Sequence, residues 1–300
     1  MDAIDQFSAA MQERGLIPPS SLLADGRIHS CGTDGKPRGK DGRYLLHLNF
    51  PPSGGFQNHR DGQGWQRWTA LISRRLTPEE RRVLKQRVEE DREQRKTEQV
   101  KRYEIAAGKA AQIWSAAQSV MNHAYLKTKN ISAHGIRVGS DGRLVIPVMD
   151  SGGQIQSLQF ISPDGSKRFL PGGQVKGCFH LIGKLVEGVI GIAEGYATAA
   201  TIHELTGDAV AVAFDCGNLK PVALALRQKH PDAALIIYAD DDLTAGNPGL
   251  TRAREAAAAV GNGVALRFPD WDRLPSGRPQ GATDFNDLMA ALKATGGAHE

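Results

Sequence analysis

The last third of the chain constrains the fold most strongly, because apolar runs and helical patterns alternate there throughout. Residues 189–193, 209–214, 235–239 and 264–268 are apolar runs, and residues 196–205, 219–229, 248–260 and 284–292 carry helical patterns. Strands and helices in alternation build βαβ units, whose parallel strands are covered on both faces and therefore read as unbroken apolar stretches. The expected fold class is α/β, with a parallel sheet flanked by helices over residues 188–300.

The text upstream is different. Residues 1–24 read as a short helix and a loop, ended by Pro18-Pro19. Between residues 25 and 68, Gly-rich turns separate short runs such as 43–50, the pattern of a small antiparallel β unit, so residues 1–75 form the first expected domain. Thr77-Pro78-Glu79-Glu80 is a helix start, and the charged stretch behind it has little apolar face to bury. Residues 76–103 are expected to be a solvated helical linker, whose basic side chains have a second reading as a track for a phosphate backbone. A second helical pattern over 103–121, with Ile105, Ile113, Trp114 and Val120, precedes β-like runs at 142–149 and 155–161 around a turn at 150–153. Residues 104–187 are thus expected to be an α+β module.

No apolar run approaches the roughly 20 residues needed to cross a bilayer, and MDAIDQFSAAMQERGL has neither the basic nor the apolar region of a secretion signal, so a cytoplasmic location without a membrane partner is expected. Cys31, Cys178 and Cys216 are far apart with no C-x-x-C pair, which argues for reduced thiols and against a disulfide framework or a Cys-rich zinc site. The net charge is only +4, but Arg and Lys crowd residues 27–102. A basic front half beside an acidic pocket suits a partner made of phosphates.

In an open parallel sheet, ligands bind beyond the carboxyl ends of the strands. Glu194 directly follows the run 189–193, and Asp240-Asp241-Asp242 directly follow 235–239. If the backbone stays extended, Asp240 and Asp242 point one way and Asp241 the other, so three carboxylates converge. Crowded carboxylates repel unless a cation neutralises them, and a hard, oxygen-seeking ion such as Mg²⁺ is the natural occupant. Single acids after strands also serve as helix caps or solvated loop residues. Asp284 and Asp287, in Gly281-Ala282-Thr283-Asp284-Phe285-Asn286-Asp287, have both readings, metal ligands or the cap and first turn of the last helix.

The string Glu194-Gly195-Tyr196-Ala197-Thr198-Ala199, with Tyr238-Ala239-Asp240-Asp241-Asp242 downstream, resembles the TOPRIM domain shared by topoisomerases, bacterial replicative primases and some nucleases. EGYATA is most similar to the primases of conjugative plasmids and of phages or prophages. Residues 123–127, the Gly-Gly turn and the stretch from 158–161 to 167–170 are more loosely similar to what those primases carry ahead of the domain. The resemblance implies that Glu194 acts as acid, base or metal ligand and that Asp240 and Asp242 hold Mg²⁺, or Mn²⁺. It implies an RNA-primer-making nucleotidyltransferase, in which a ribonucleotide 3′-hydroxyl attacks the α-phosphate of a ribonucleoside triphosphate on single-stranded DNA. Lys127, Lys129, Arg137, Lys167 and Arg168, with Gly195 and Tyr196, would lie nearest the triphosphate or template; each of the five cations reads equally as a solvated surface charge.

The chain departs from that family at its front. Many such primases begin with a zinc ribbon; here His29, Cys31, His47 and His59 match no standard pair-and-pair spacing, and no zinc is expected. Arg60, Trp65, Arg67 and Trp68, with Phe56, Arg74 and Arg75, interleave aromatics and cations as a single-strand-binding face does, while the two tryptophans fit the small core of that unit equally well. No P-loop occurs, so unwinding would fall to a separate helicase or initiator. A Mg²⁺-dependent TOPRIM nuclease and a non-catalytic nucleic-acid-binding protein are the alternatives to a primase.

Overall fold

In the computed structural model, residues 2–72, 75–185, 188–244 and 246–296 are described, which leaves Arg74 outside them. The chain divides into two compact units, residues 1–99 and 100–300.

The first unit is a helix on a meander. Helix α1 (Ala3–Glu13) starts in a capping box, with the Asp2 carboxylate accepting from the Asp5 N–H. Strands β1 (Leu16–Ile17), β2 (His29–Thr33), β3 (Gly42–His47), β4 (Ser53–Asn58) and β5 (Gln66–Thr69) follow as an antiparallel sheet in sequence order. Phe7 and Met11 of α1 bury themselves against Leu16, Tyr44, Leu46 and Phe56. The Phe7 ring meets Phe56 and Trp68 edge to face, at centroid distances of 5.6 and 4.9 Å. Trp68 is therefore a core residue of this unit.

Helix α2 (Pro78–Ala116) is one continuous element of 39 residues, about 58 Å long at 1.5 Å per residue. The sequence suggested a linker ending at residue 103 and a second helix after it. The change in composition there is a change in what the helix faces, with Ala106 and Ala110 its only fully buried residues among those described, and nothing in that stretch breaks helical hydrogen bonding. Its start is a capping box between Thr77 and Glu80.

The second unit holds two sheets. Strands β6 (Gln118–Ser119), β7 (Arg137–Val138), β8 (Leu144–Met149), β9 (Ile155–Ile161) and β10 (Lys167–Phe169) form an antiparallel sheet, order β10-β9-β8-β7-β6, with helix α3 (Ala124–Lys129) inserted after β6. The expected hairpin is thus part of a five-stranded sheet, and the expected helix ahead of it is the C-terminal part of α2. Strands β11 (His180–Ile182), β12 (Val189–Ala193), β13 (Ala209–Val212), β14 (Ala234–Tyr238) and β15 (Val264–Arg267) form the second sheet, order β11-β13-β12-β14-β15. β13, β12, β14 and β15 are parallel, as the apolar runs predict; the short edge strand β11, antiparallel to β13, was not anticipated.

Helices cover both faces. α4 (Tyr196–Thr206) packs with Val210 and Val212 on one face, where Leu144, Ile146 and Val148 of β8 complete the core. α5 (Leu219–Lys229) and α6 (Pro248–Val260) cover Ile190, Ile192, Leu235 and Ile237 on the other. α7 (Phe285–Ala294) closes the chain beside α4. Among the described residues no helix is long and apolar enough to cross a membrane.

Because the Phe7 ring is fully buried and touches three other aromatic rings, Phe7→Ala should destabilise the first unit by roughly 3–5 kcal/mol. Urea unfolding followed by tryptophan fluorescence checks this, and a loss below about 1 kcal/mol would mean that the helix does not hold the meander.

Candidate active site

The carboxyl ends of three neighbouring parallel strands meet at one cavity. Ala193 of β12 lies in register with Tyr238 of β14 and Val212 of β13, so the residues that follow leave the sheet side by side. Glu194 and Asp240 both line a cavity of about 430 Å³, together with Asp284 and Thr198. The opposite wall comes from the antiparallel sheet and α3: Lys167 on β10, the β9–β10 turn at Asp164 and Gly165, and Tyr125 and Lys129. Both cations thus reach the cavity from the antiparallel module, whereas Glu194, Asp240 and Asp284 reach it from the parallel sheet and the start of α7.

Burial makes the acids uncomfortable as anions. Desolvation, reinforced by the charges of Asp242 and Asp215, pushes the Glu194 carboxyl up to about 7, against the pull of Lys167. Asp240 is pushed up to about 8, by desolvation first and then by Glu194, Asp284 and Asp242. Burial also raises Asp215, which directly follows the 209–214 run. The sequence reading passed over this residue, although the rule that selected Glu194 and Asp240 selects it too. Phe214, ahead of it, has φ +75°, a conformation costly for a side chain of this size. Its N–H donates to the Glu194 carbonyl at 2.8 Å, so the strained residue extends the strand ladder up to the acids and turns the chain at the cavity wall.

The aspartates after β14 alternate as the extended backbone requires. Asp240 faces the cavity, while Asp241 points away to Asn247, Trp271 and Arg278. Asp242 Oδ2 accepts from the Gly249 N–H at 2.7 Å, at the N-terminus of α6, and Asp242 is not among the residues that line the cavity, contrary to the expectation that it joins Asp240 there. Gly249 leaves no room for a side chain, since a Cβ would stand 2.7 Å from the Asp240 carbonyl oxygen and 3.0 Å from Asp242 Oδ2. Asp284 caps α7 by accepting from the Asp287 N–H and also accepts from the Thr198 hydroxyl, while facing the cavity. Asp284 thus caps the helix while its side chain also faces the cavity. Asp287 takes the Thr283 N–H and the Lys129 ammonium at 3.0 and 3.1 Å and does not line the cavity.

Other expected site residues divide. Lys129 and Lys167 reach the cavity; Lys127 and Arg168 are exposed away from it. Arg137 donates to the Trp114 carbonyl at 2.7 Å and stacks 4.4 Å over its ring, which makes it a brace for the antiparallel sheet. Tyr196 is fully buried, with its hydroxyl accepting from the His134 N–H. Its motif position marks the first turn of a helix packed on the core. Gly195 lines the cavity with an ordinary negative φ, and a Cβ there would meet only Thr198 Oγ1 and Lys167 Nζ at 3.6 and 3.7 Å. What the glycine provides is open space beside Lys167, since the turn itself does not demand it. In the first unit, Arg60 donates to the Asp34 carbonyl, Arg95 lies 5.1 Å over the Trp65 ring, and Arg67 is exposed on the edge strand β5. His29 pairs with Asp25 and His47 with Asp91, and Cys31 is buried in the core.

The residues fit a divalent cation in one specific respect. Asp240 Oδ1 is buried without a hydrogen-bond partner, beside Glu194 and Asp242, which raise its pKa. A hard cation supplies such an oxygen with a partner and relieves the repulsion. Among the described residues no three His, Cys, Asp or Glu side chains already form a metal cage. Asp242 Oδ2 is instead taken by the Gly249 N–H, so the carboxylates stand near each other without converging on one point.

Residues 189–294 match the family profile of the Toprim domain. The chain is similar to two proteins of Escherichia coli, each named DNA primase TraC. One is 36% identical over 284 residues, 88% of this chain and 26% of that protein; the other is 35% identical over 283 residues, 88% of this chain and 19% of that protein. The chain thus spans about a quarter or less of the length of the curated relatives it matches. Among solved structures, the primase fragment of the bacteriophage T7 primase-helicase protein covers 60% of this chain and 76% of its own at 18% identity and a TM-score of 0.40. A DnaG primase catalytic domain bound to ssDNA covers 67% of this chain and 77% of its own at 14% identity and a TM-score of 0.41.

A carboxyl whose pKa is raised on folding favours the folded state while protonated, and that contribution is lost as pH rises through about 7 for Glu194 and about 8 for Asp240. Without divalent ions, Glu194→Gln and Asp240→Asn should therefore melt higher than the unaltered protein at pH 8.5, by on the order of 2–5 °C, and the gap should close towards pH 5. Adding Mg²⁺ should stabilise the unaltered protein more than either variant. Equal melting temperatures at pH 8.5 would remove the electrostatic account of the cavity.

Proposed function

We propose that this chain, which carries a Toprim domain at residues 189–294 and is related over most of its length to DNA primases, is itself a DNA primase that makes short RNA primers on single-stranded DNA. The observation that carries this reading is the meeting of Glu194 and Asp240 with Lys129 and Lys167 across one cavity. Acids that can hold a cation face ammonium groups that can hold phosphates, as nucleotidyl transfer requires.

The reaction joins a ribonucleotide 3′-oxygen to the α-phosphorus of a nucleoside triphosphate and breaks the bond from that phosphorus to the bridging oxygen, releasing pyrophosphate. Glu194 titrates near neutrality, which suits a group that takes the 3′-hydroxyl proton. Lys167 and Lys129 stand where the anionic triphosphate would enter, and Asp287 keeps Lys129 in place through its 3.1 Å ion pair. Mg²⁺ or Mn²⁺, held by Asp240 with Glu194, Asp242 and Asp284, would lower the pKa of the attacking hydroxyl and offset charge on the leaving pyrophosphate. Thr198 orients Asp284.

We assign residues 188–300 to catalysis, 104–187 to a supporting lobe, 76–103 to a charged connection and 1–75 to template contact through exposed Arg67 and Arg60. The setting is the cytoplasm, in plasmid or phage replication or transfer, beside a separate helicase or initiator.

The test is primer synthesis on circular single-stranded DNA with labelled ribonucleotides and Mg²⁺. Glu194→Gln and Asp240→Asn should each lower the rate by about 100-fold or more, and Lys167→Ala should raise KM for the triphosphate by about tenfold. Mg²⁺-dependent cutting of the DNA without RNA products would move the assignment to a nuclease, and neither activity would reduce the chain to a binding protein.

A further inference from the structure

Behind the cavity, on the side facing away from Asp240, lies a second polar cluster that the reaction does not use. Asp241 is at its centre. Oδ1 accepts from Asn247 Nδ2 at 2.7 Å, and Oδ2 accepts from Trp271 Nε1 and Arg278 Nη1, both at 3.0 Å. Its carbonyl accepts from Arg278 Nη2, and its N–H donates to the Thr283 carbonyl at 2.8 Å. Arg278 Nε donates to the Ala282 carbonyl at 2.7 Å, and the guanidinium lies 4.8 Å over the Trp271 ring. Neither Asp241 nor Arg278 lines the cavity. Their side chains are only 24% and 20% exposed, which sets this pair apart from the solvated ion pairs of the surface.

The two segments that this cluster joins are those that carry the acids. Asp241 sits between Asp240 and Asp242, and the Ala282–Thr283 backbone that it and Arg278 grip leads directly into Asp284. Asn247, held by Asp241, accepts from the N–H of Asp242 at 3.0 Å and so fixes the far end of the same loop. Asp240 and Asp284 face one cavity with Asp242 nearby, and their mutual repulsion drives these loops apart unless something on their other side holds them.

We infer that Arg278 and Asp241 form a positioning clamp that sets the spacing of Asp240, Asp242 and Asp284 for a divalent cation. The inference rests on the metal role proposed above and adds residues that touch neither cation nor substrate. The guanidinium is required as such: three N–H directions go to three acceptors while its plane stacks on an indole, which the point charge of a lysine cannot reproduce.

The experiment is binding of Mn²⁺ alone, without nucleotide or DNA, followed by the electron paramagnetic resonance of the free ion. Unaltered protein, Arg278→Lys, Asp241→Asn and the double variant are compared, with circular dichroism and melting temperature recorded on each. Each single variant should fold and bind Mn²⁺ about tenfold more weakly, the usual order for residues that orient metal ligands. The double variant should be no weaker than about tenfold, because either change opens the same clamp. Folded variants with Mn²⁺ affinity within about twofold of the unaltered protein would overturn the inference, as would single effects that multiply in the double variant. A purely structural role predicts the first of those results, with a lowered melting temperature and unchanged affinity. Should Arg278→Lys fail to fold, Asp241→Asn decides by the same tenfold criterion. An unaltered protein that binds no Mn²⁺ would sink the metal reading itself, and the clamp with it.

Discussion

Repulsion between carboxylates at the ends of adjacent strands is the constraint around which the second unit is arranged. Glu194 and Asp240 are held in neighbouring register by the β12–β14 ladder, and burial leaves both reluctant to ionise. Much of the surrounding geometry answers that reluctance. The Gly249 N–H at the start of α6 takes one oxygen of Asp242, the Thr198 hydroxyl and the Asp287 N–H take the oxygens of Asp284, and Lys167 faces Glu194 and Asp240 across the cavity. These groups leave Asp240 Oδ1 without a partner, and in the proposed reading a cation and phosphates would complete the site.

The charge pattern divides along the two sheets of the unit. Glu194 and Asp240 stand on turns of the parallel sheet, whose strand ends aim them at the cavity. The cations come from α3 and β10, elements of the antiparallel module. Neither sheet alone makes the cavity, and β8 packs on α4 through Leu144, Ile146 and Val148, so the core that joins the sheets also fixes the distance between acids and cations. The module ahead of the parallel sheet therefore supplies the cavity's two cations.

That division explains what could be read from the sequence. Strand ends are marked by the boundary of an apolar run, so Glu194 and Asp240 were legible, and period-two alternation placed Asp241 on the opposite side. Asp215 obeys the same rule, but Phe214 extends the apolar run in a left-handed conformation that no pattern announces. The cations had no such marker. Lys129 and Lys167 were chosen in the same breath as Lys127, Arg137 and Arg168, and only packing separates them: Arg137 is consumed by Trp114, and the other two face away. Tyr196 failed for the opposite reason, since a motif residue beside a catalytic one can serve the helix that carries it. The β meander was legible from its turns, whereas the continuity of α2 was hidden by a change in composition that its hydrogen bonding ignores.

The same physics bears on why Asp241 is an acid at all. A residue that follows the cavity-facing Asp240 along extended backbone points backwards, and a neutral or apolar side chain there would spare the site one more negative charge. Asp241 instead meets three side-chain donors, one of them a guanidinium, so its charge is compensated locally. The arrangement turns the Asp-Asp-Asp run into two functions on two faces, repulsive acids in front and an attractive anchor behind. Because the anchor is tied to the chain leading into Asp284, a loop from β14 and a loop ahead of α7, more than forty positions apart in sequence, are set by one ion pair. A strand-end metal site assembled from separate βα turns needs such a tie wherever its ligands repel, since the hydrogen bonds of the sheet stop where the loops begin.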